Sequence, residues 1–340
     1  MPQKIICITN DFGPRAGGIE TFVMGLIERL PKDSITVYTS KQDQTSQYDK
    51  KWLHEFGVKV IRDKSKILLP TPRVVRAIKK AIKEEKIETA LFGAAAPLAV
   101  MSREIRKVGI SRIVALTHGH EVWWSKVWPF KMAIRFIGNN VDHLTYLGDF
   151  TRSEISRALS KRASQAMVKI APGIDTDHFA PHPGAPELRN SLGLSDKKVI
   201  VSVGRLVHRK GQDTLIAALP KILQSHPTAH ILMVGEGPYR EHLEKLVEKL
   251  KVANSITFIG RIAHTDLPRY ISAGDIFAMP SRSRLAGLEV EGLGIVYLEA
   301  SSCELPVVAG KSGGAPDAVI EGVTGFTVDG TNPDDVARAI

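Results

Sequence analysis

The sequence predicts an α/β protein of two Rossmann-like lobes facing each other across a cleft. Three observations lead there. Short apolar, β-branched runs alternate with helical patterns along the whole chain, the signature of parallel sheets joined by crossover helices. The 340 residues are enough for two domains of ordinary size. A Pro- and Gly-rich stretch divides the alternating elements into two sets.

In the first set, strands are expected at residues 4–9, 35–38, 59–61, 89–92, 112–117 and 143–146, with helical patterns at 18–30, 73–86 and 150–160. Within 73–86, Val74, Val75, Ile78, Ala81 and Ile82 share one face and basic residues lie opposite. The run 171–186, with four prolines and two glycines, shows little periodicity and reads as a linker. The second set follows at 198–203, 212–224, 230–234, 240–250, 255–258, 276–279 and 306–309. The expected organisation is a first lobe over 1–170, a linker over 171–195 and a second lobe over 196–340. Residues 332–340 open a helix capped by Asn332 or Asp334 and then stop, so the second lobe is expected to be incomplete at its C-terminal end. In doubly wound sheets, ligands sit at the C-terminal ends of the strands.

Composition narrows the class. Hydrophobic residues make up 43% and charged residues 24%, as in a well-cored soluble protein. The two cysteines, Cys7 and Cys303, lie in apolar elements, which argues against a disulfide framework and fits a reducing cytoplasm. No apolar stretch approaches the ~20 residues of a membrane span, and the N-terminal apolar run is too short for a signal peptide. The net charge of +10 is uneven: residues 1–170 hold 29 Lys and Arg against 16 Asp and Glu. One lobe is therefore expected to meet an anionic partner. No zinc-finger, RNP or helix-turn-helix pattern supports nucleic acid. The basic face of 73–86 by itself reads as the solvated side of a core-packed helix, but Trp123, Trp124, Trp128 and Phe130 beside Lys126 and Lys131, with Lys59, Arg62, Lys64 and Lys66 upstream, point to an anionic membrane surface.

Chemistry concentrates at strand ends. Glu291-Gly292-Leu293-Gly294-Ile295-Val296-Tyr297-Leu298-Glu299 places two acids around a glycine-flexed helix start near Gly294 or Ile295. Free N–H groups of that first turn would seat a phosphate, and the flanking carboxylates would accept bonds from sugar or ribose hydroxyls. Arg205 and Lys210 follow the first strand of the second lobe and supply a forked donor and a point charge suited to a diphosphate; a solvated basic loop is the alternative. Gly260-Arg261-Ile262 ends another strand and reads either as an ordinary turn or as main-chain groups offered to a base edge. In the first lobe, Asn10-Asp11-Phe12-Gly13-Pro14-Arg15-Ala16-Gly17-Gly18 joins the first strand to the first helix without the spacing of a dinucleotide fingerprint. Thr117-His118-Gly119-His120-Glu121 ends a further strand. Its two histidines are two residues apart and would point opposite ways in a continuing strand, so no metal is expected.

Together these residues resemble the retaining GT-B glycosyltransferases of family 4: Gly17-Gly18, Arg205 with Lys210, Glu291 with Glu299, and Ser312-Gly313-Gly314-Ala315-Pro316 stand in the family's order and spacing. Residues 9–12, 117–123 and 280–284 are most similar to the actinobacterial phosphatidyl-myo-inositol mannosyltransferases. The resemblance implies that Arg205 and Lys210 hold the donor diphosphate, Glu299 the ribose and Glu291 the transferred sugar. It also implies that the amides of Leu293, Gly294, Ile295 and Val296 meet sugar and phosphate, and that main chain near Ile262 reads the base. Gly17 and Gly18 would cover the diphosphate, His118 would lie beside the anomeric carbon, and Asn10, Asp11 and His120 would touch the acceptor. His118, Arg205, Lys210 and Glu291 are the expected catalytic set, with front-face transfer, retention and no cofactor beyond the nucleotide sugar. The sequence departs from the family at Ala171-Pro172-Gly173, where an asparagine often precedes the glycine, and at Glu304, where glycine is frequent.

The expected function is transfer of mannose from GDP-mannose to a phosphatidylinositol-type lipid, by a protein held peripherally at the cytoplasmic face of the plasma membrane. The rivals are a UDP-sugar transferase acting on a polysaccharide or soluble acceptor, a sugar-nucleotide epimerase, and an inactive sugar-nucleotide-binding module. Oligomeric state is left open.

Overall fold

Seven parallel strands form the sheet of the first unit, Met1–Pro172, in a computed structural model that describes residues 4–15 and 17–340. Ala16, inside the glycine-rich motif, lies outside the described residues. The strands are β1 (Ile5–Thr9), β2 (Ile35–Thr39), β3 (Lys59–Arg62), β4 (Thr89–Phe92), β5 (Arg112–Ala115), β6 (His143–Tyr146) and β7 (Val168–Lys169). Their helices are α1 (Gly18–Ile27), α2 (Ser46–Phe56), α3 (Pro72–Glu85), α4 (Ser102–Arg106), α5 (Glu121–Lys126), α6 (Phe130–Asn140), α7 (Asp149–Ser156) and α8 (Lys161–Gln165). The spatial order β3-β2-β1-β4-β5-β6-β7 reverses between β1 and β4. A ligand crevice is therefore expected where β1 delivers Asn10 and β4 delivers Gly93.

The second unit, Gly173–Ile340, repeats the scheme with six strands: β8 (Lys198–Val203), β9 (Ala229–Val234), β10 (Ile256–Gly260), β11 (Ile276–Met279), β12 (Val307–Gly310) and β13 (Gly325–Val328). Its helices are α9 (Ala185–Ser191), α10 (Gln212–Ser225), α11 (Arg240–Leu250), α12 (Leu267–Ser272), α13 (Ile295–Ser302) and α14 (Pro333–Ala339). The order β10-β9-β8-β11-β12-β13 reverses between β8 and β11. Gly204 and Pro280 therefore open the second crevice.

Burial explains why these runs are strands. All residues of β2, β4, β9 and β12 are buried, as parallel strands covered on both faces require. Leu215, Ile216, Leu219 and Ile222 of α10 pack with Ile231, Met233, Leu243 and Val247 in the second core; Cys7, Phe12, Val23, Ile27, Val37 and Trp52 make the first. Cys7 and Cys303 are free and buried, and burial, with help from Asp11, pushes the Cys7 thiol up to about 12.

Several expectations need correction. The stretch 171–195 is not linker throughout: from Gly173 the chain belongs to the second unit, and α9 lies within it. Pro186, one of the four prolines that suggest a linker, stands in the first turn of α9, where its fixed φ favours a helix. Arg189 then binds Asp275 at 3.0 Å, and Leu188 and Leu194 are buried. Helices α2 and α6 and strand β13 were not expected. Asn332 is the cap of α14, accepting from the amides of Asp334 and Asp335. Glu304 holds φ at 63°, a left-handed conformation that explains why glycine suits this position.

Candidate active site

In the second unit, β8 runs out at Gly204 and Arg205, then a 3-10 turn over His208–Lys210 leads to Gly211 and α10. Gly211 has φ of 72°, and a Cβ there would stand 1.8 Å from the Pro280 carbonyl oxygen, so only glycine lets the turn reach β11. Arg282, just past β11, holds the turn from the other side. Its amide donates to the Arg209 carbonyl at 2.8 Å, and its guanidinium reaches Asp213 at 2.6 Å and Thr214 Oγ1 at 2.8 Å. His208 Nδ1 lies 2.9 Å from the same guanidinium; burial, then Arg282 and Arg284, hold His208 below its usual value.

Glu291 is 8% exposed and faces this turn. Its Oε2 accepts from Lys210 Nζ and from Arg209 Nη1, each at 2.8 Å. Burial alone would push Glu291 up, but Lys210 and Arg209 together hold it below the usual carboxylate range. The loop under it is strapped by main chain: Gly314 N donates to the Glu291 carbonyl at 2.8 Å, and Ser312 Oγ accepts from Glu291 N at 3.2 Å. A Cβ at Gly313 would stand 2.2 Å from the Glu291 oxygen and one at Gly314 2.1 Å from that of Gly292. The Ser312-Gly313-Gly314 motif thus serves close approach to the acidic loop.

Gly294, φ 75°, caps α13 at its start. The amides of Leu293, Gly294, Ile295 and Val296 have no hydrogen-bond acceptor among the described residues, as the first turn of a helix leaves them. Tyr297 anchors that turn, donating to the Met279 carbonyl at 2.8 Å and lying 3.0 Å from Ser281 Oγ. One helical turn of α13 carries the chain from Ile295 to Glu299, which is buried; burial pushes it up to about 7, with Lys210 opposing. One ammonium therefore serves two carboxylates of opposite character. Arg205 is exposed and its side chain has no partner among the described residues, whereas Arg209 pairs with Glu291. Half-buried Ile262 follows Gly260, whose carbonyl accepts from Gly235 N at 2.8 Å at the same end of the sheet.

Arg209 was missed in the sequence. Its signal was its place beside Lys210, but which of two adjacent cations points at an acid depends on the tightness of the turn.

In the first unit, Asn10 has both ends of its amide engaged with Leu68, Nδ2 to the carbonyl at 3.1 Å and Oδ1 from the amide at 2.7 Å. It fixes the 64–69 loop. Asp11 is mostly buried, and burial, then Glu20, raise it, with His118, Arg15 and His120 opposing. His118 Nε2 lies 2.5 Å from the Gly93 carbonyl oxygen and its amide donates to Glu121 Oε2 at 2.9 Å. Its ring stacks with that of His120 at 6.4 Å. The two rings thus lie side by side rather than pointing opposite ways, because α5 begins at Glu121 and ends the extended chain. His120 Nε2 is 3.3 Å from the fully buried Glu121 Oε1, close but out of line for a hydrogen bond. Among the described residues, no group of three His, Cys, Asp or Glu is arranged to hold a metal ion. Gly17 caps α1, and a Cβ there would meet Glu20 Oε2 at 2.3 Å; at Gly18 a Cβ would meet nothing within 4 Å. The tryptophans divide: Trp123 and Trp124 pack on Phe130 at 4.8 and 4.9 Å, while Trp128 is 77% exposed.

Two doubly wound parallel-sheet units, one with paired cations and acids at a free helix start, define a glycosyltransferase of the GT-B class. Comparison with solved structures agrees: HepE from Anabaena, solved in complex with UDP, superposes with a TM-score of 0.81 at 21% identity, covering 99% of this chain and 88% of that one. Sucrose-phosphate synthase from Thermosynechococcus elongatus gives 0.76 at 23% identity, with the same coverage. The family profile "Glycosyltransferase Family 4" matches residues 16–178 and "Glycosyl transferases group 1" residues 185–340. The chain is 45% identical to the GDP-mannose-dependent alpha-(1-6)-phosphatidylinositol monomannoside mannosyltransferase of Mycolicibacterium smegmatis, over 99% of this chain and 88% of that protein. It is 39% identical to the corresponding enzyme for the monoacylated acceptor from Corynebacterium glutamicum, with the same coverage. The chain belongs to the family 4 glycosyltransferases.

Proposed function

We propose that the protein transfers mannose, with retention of configuration, from GDP-mannose to a phosphatidylinositol mannoside at the cytoplasmic face of the membrane. The observation that carries the reading is the Lys210 ammonium paired with Glu291 at the free start of α13, with buried Glu299 also in its field, in a chain 45% identical to an enzyme named for that reaction. Arg205 and Lys210 hold the diphosphate, and the amides of Leu293, Gly294, Ile295 and Val296 add their dipoles. Glu291 accepts from the mannose hydroxyls and Glu299 from the ribose, while main chain at Ile262 meets the base and Gly17 and Gly18 cover the diphosphate. In the first unit, His118 lies beside the anomeric carbon; Asp11 and His120 meet the acceptor, and Asn10 keeps their loop in place.

The bond from the anomeric carbon to the phosphate oxygen breaks as the acceptor oxygen bonds the same carbon from the same face. The acceptor's proton passes to the departing phosphate, and the positive groups around it stabilise the charge on GDP. No metal is needed for that step. Among the described residues no helix is long and apolar enough to cross a membrane, and contact with the lipid surface is peripheral.

A thermal-shift panel of GDP-, UDP- and ADP-sugars, followed by mass analysis of phosphatidylinositol monomannoside incubated with the preferred donor, tests the proposal. GDP-mannose at 100 times its Kd should stabilise the fold by about 2.7 kcal/mol and the lipid should gain one hexose. Stabilisation by a UDP-sugar alone, or an unmodified lipid, would overturn it.

A further inference from the structure

Helix α6 buries Ile134, Ile137 and Gly138 and turns its other side outward. On that outward side Met132 and Phe136, one turn apart, are 55% and 36% exposed, and Trp128, just ahead of the helix, is the most exposed of the three apolar side chains at 77%. Lys131 and Arg135 stand beside them, both exposed and without an ion-pair partner among the described residues. Some other cations of the unit are tied to acids, Arg73 to Asp63, Lys79 to Glu104 and Lys126 to Glu154. Apolar anchors interleaved with bare cations, with no acid on the helix, make a surface suited to the boundary between lipid headgroups and acyl chains.

We propose that this outer face of α6 is where the protein sits on an anionic lipid bilayer. Trp128, Met132 and Phe136 enter the interface, and Lys131 and Arg135 lie against lipid phosphates. The proposal rests on the reading of the acceptor as a membrane lipid and names the surface that brings the protein to it. A second copy of the chain fits the same face poorly. A two-fold contact would bring the lysines and arginines of both copies together, with no carboxylate on α6 to answer them. The face is also mechanically tied to the first-unit site: α5, six residues and so about 9 Å long, leads directly from His120, and its Trp123 and Trp124 pack on Phe130 at the start of α6. A headgroup presented by a bilayer against α6 is thus held near Asp11, His118 and His120. The basic side of α3 is the rival surface in the same unit.

Flotation with phosphatidylglycerol–phosphatidylcholine vesicles tests the assignment, with pure phosphatidylcholine vesicles as the neutral control. Wild type should float with the anionic vesicles at low salt. W128S/M132S/F136S should lose roughly tenfold or more of the bound fraction, and K131E/R135E should lose binding chiefly at low salt. Circular dichroism and thermal unfolding establish that each variant is folded. Mannose transfer to a water-soluble mannosylated inositol phosphate should stay at the wild-type rate in the triple variant and fall only on vesicle-embedded acceptor. Flotation of both variants like wild type, or loss of binding only on reversing Arg76 and Lys80 of α3, would overturn the assignment to α6. A dimer of wild type that the triple variant abolishes would assign the face to a second copy and overturn it equally. No transfer to either acceptor, with flotation intact, would instead sink the proposed reaction and leave the docking face standing.

Discussion

The two units share a doubly wound parallel sheet and differ in how the strand ends are held. In the second unit the loops over β8, β11 and β12 are strapped by glycine contacts and buried ion pairs: Gly211 against Pro280, Gly313 and Gly314 against the 291–292 main chain, Arg282 on Asp213, Lys210 on Glu291. In the first unit the loops are tied by side chains instead: Asn10 holds Leu68 through both ends of its amide, Arg62 reaches the Gly13 carbonyl at 2.7 Å and Arg73 reaches Ser65 Oγ at 2.6 Å, while Gly18 opens onto empty space and apolar and basic side chains lie outward on α6. The strand ends of the second unit are thus held by backbone approach and buried charge, and those of the first by side-chain bonds to main chain. The charge follows the same division.

The largest expected effect is at the strapped end. Lys210→Ala removes the one cation shared by Glu291 and Glu299, and kcat should fall about 10²–10³-fold in a transfer assay; near-normal turnover would take the diphosphate role away from it. A pair of glycine substitutions then separates the units. Gly313→Ala combines a left-handed φ of 54° with a Cβ 2.2 Å from the Glu291 oxygen, and should destabilise the protein by at least about 1–2 kcal/mol in urea unfolding. Gly18→Ala has room, lies in a helix and should stabilise by up to about 1 kcal/mol, yet turnover should drop if the backbone there approaches the diphosphate. Equal stability changes in the two variants would erase the contrast.

Arg209→Gln is subtler. Glu291 would keep Lys210 and lose its second cation, so its carboxyl should titrate higher and the acid limb of the kcat/KM profile should move to higher pH. An unmoved limb would make Arg209 ornamental. The two acids also act on stability with opposite signs. Glu291, held low, contributes stability that is present at neutral pH and lost as pH falls through its folded value. Glu299, raised from the usual 4.5 to about 7, favours the fold at acidic pH and loses that contribution as pH rises through about 7. The smallest effect is expected at Glu304→Gly, which relieves a φ of 63° and should raise Tm by about 2–4 °C with activity unchanged.

Much of the strapped half was legible in the sequence because its devices are local. Glycine pairs and cations directly follow apolar strands, and the start of α13 at Ile295 follows from Gly294 alone. Arg209 was hidden because side-chain direction in a three-residue turn is set by Arg282, more than seventy positions away. Pro186 misled because the same residue ends one element and starts another. Helix α6 escaped for a reason tied to its surface: Met132 and Phe136 point outward, so the apolar positions go round the helix and blur the one-sided stripe that reveals an amphipathic segment. Helix α2 failed oppositely, with Trp52 as its one buried residue.

The central claim is that Glu291 grips the transferred sugar and Glu299 the ribose of one GDP-mannose molecule. Calorimetric titration of wild type, Glu291→Ala and Glu299→Ala with GDP and with GDP-mannose tests it most directly. Glu291→Ala should bind GDP as wild type does and lose about tenfold of its affinity for GDP-mannose, while Glu299→Ala should weaken both ligands alike. Equal weakening of both ligands by Glu291→Ala, or an unchanged GDP affinity in Glu299→Ala, would contradict the account.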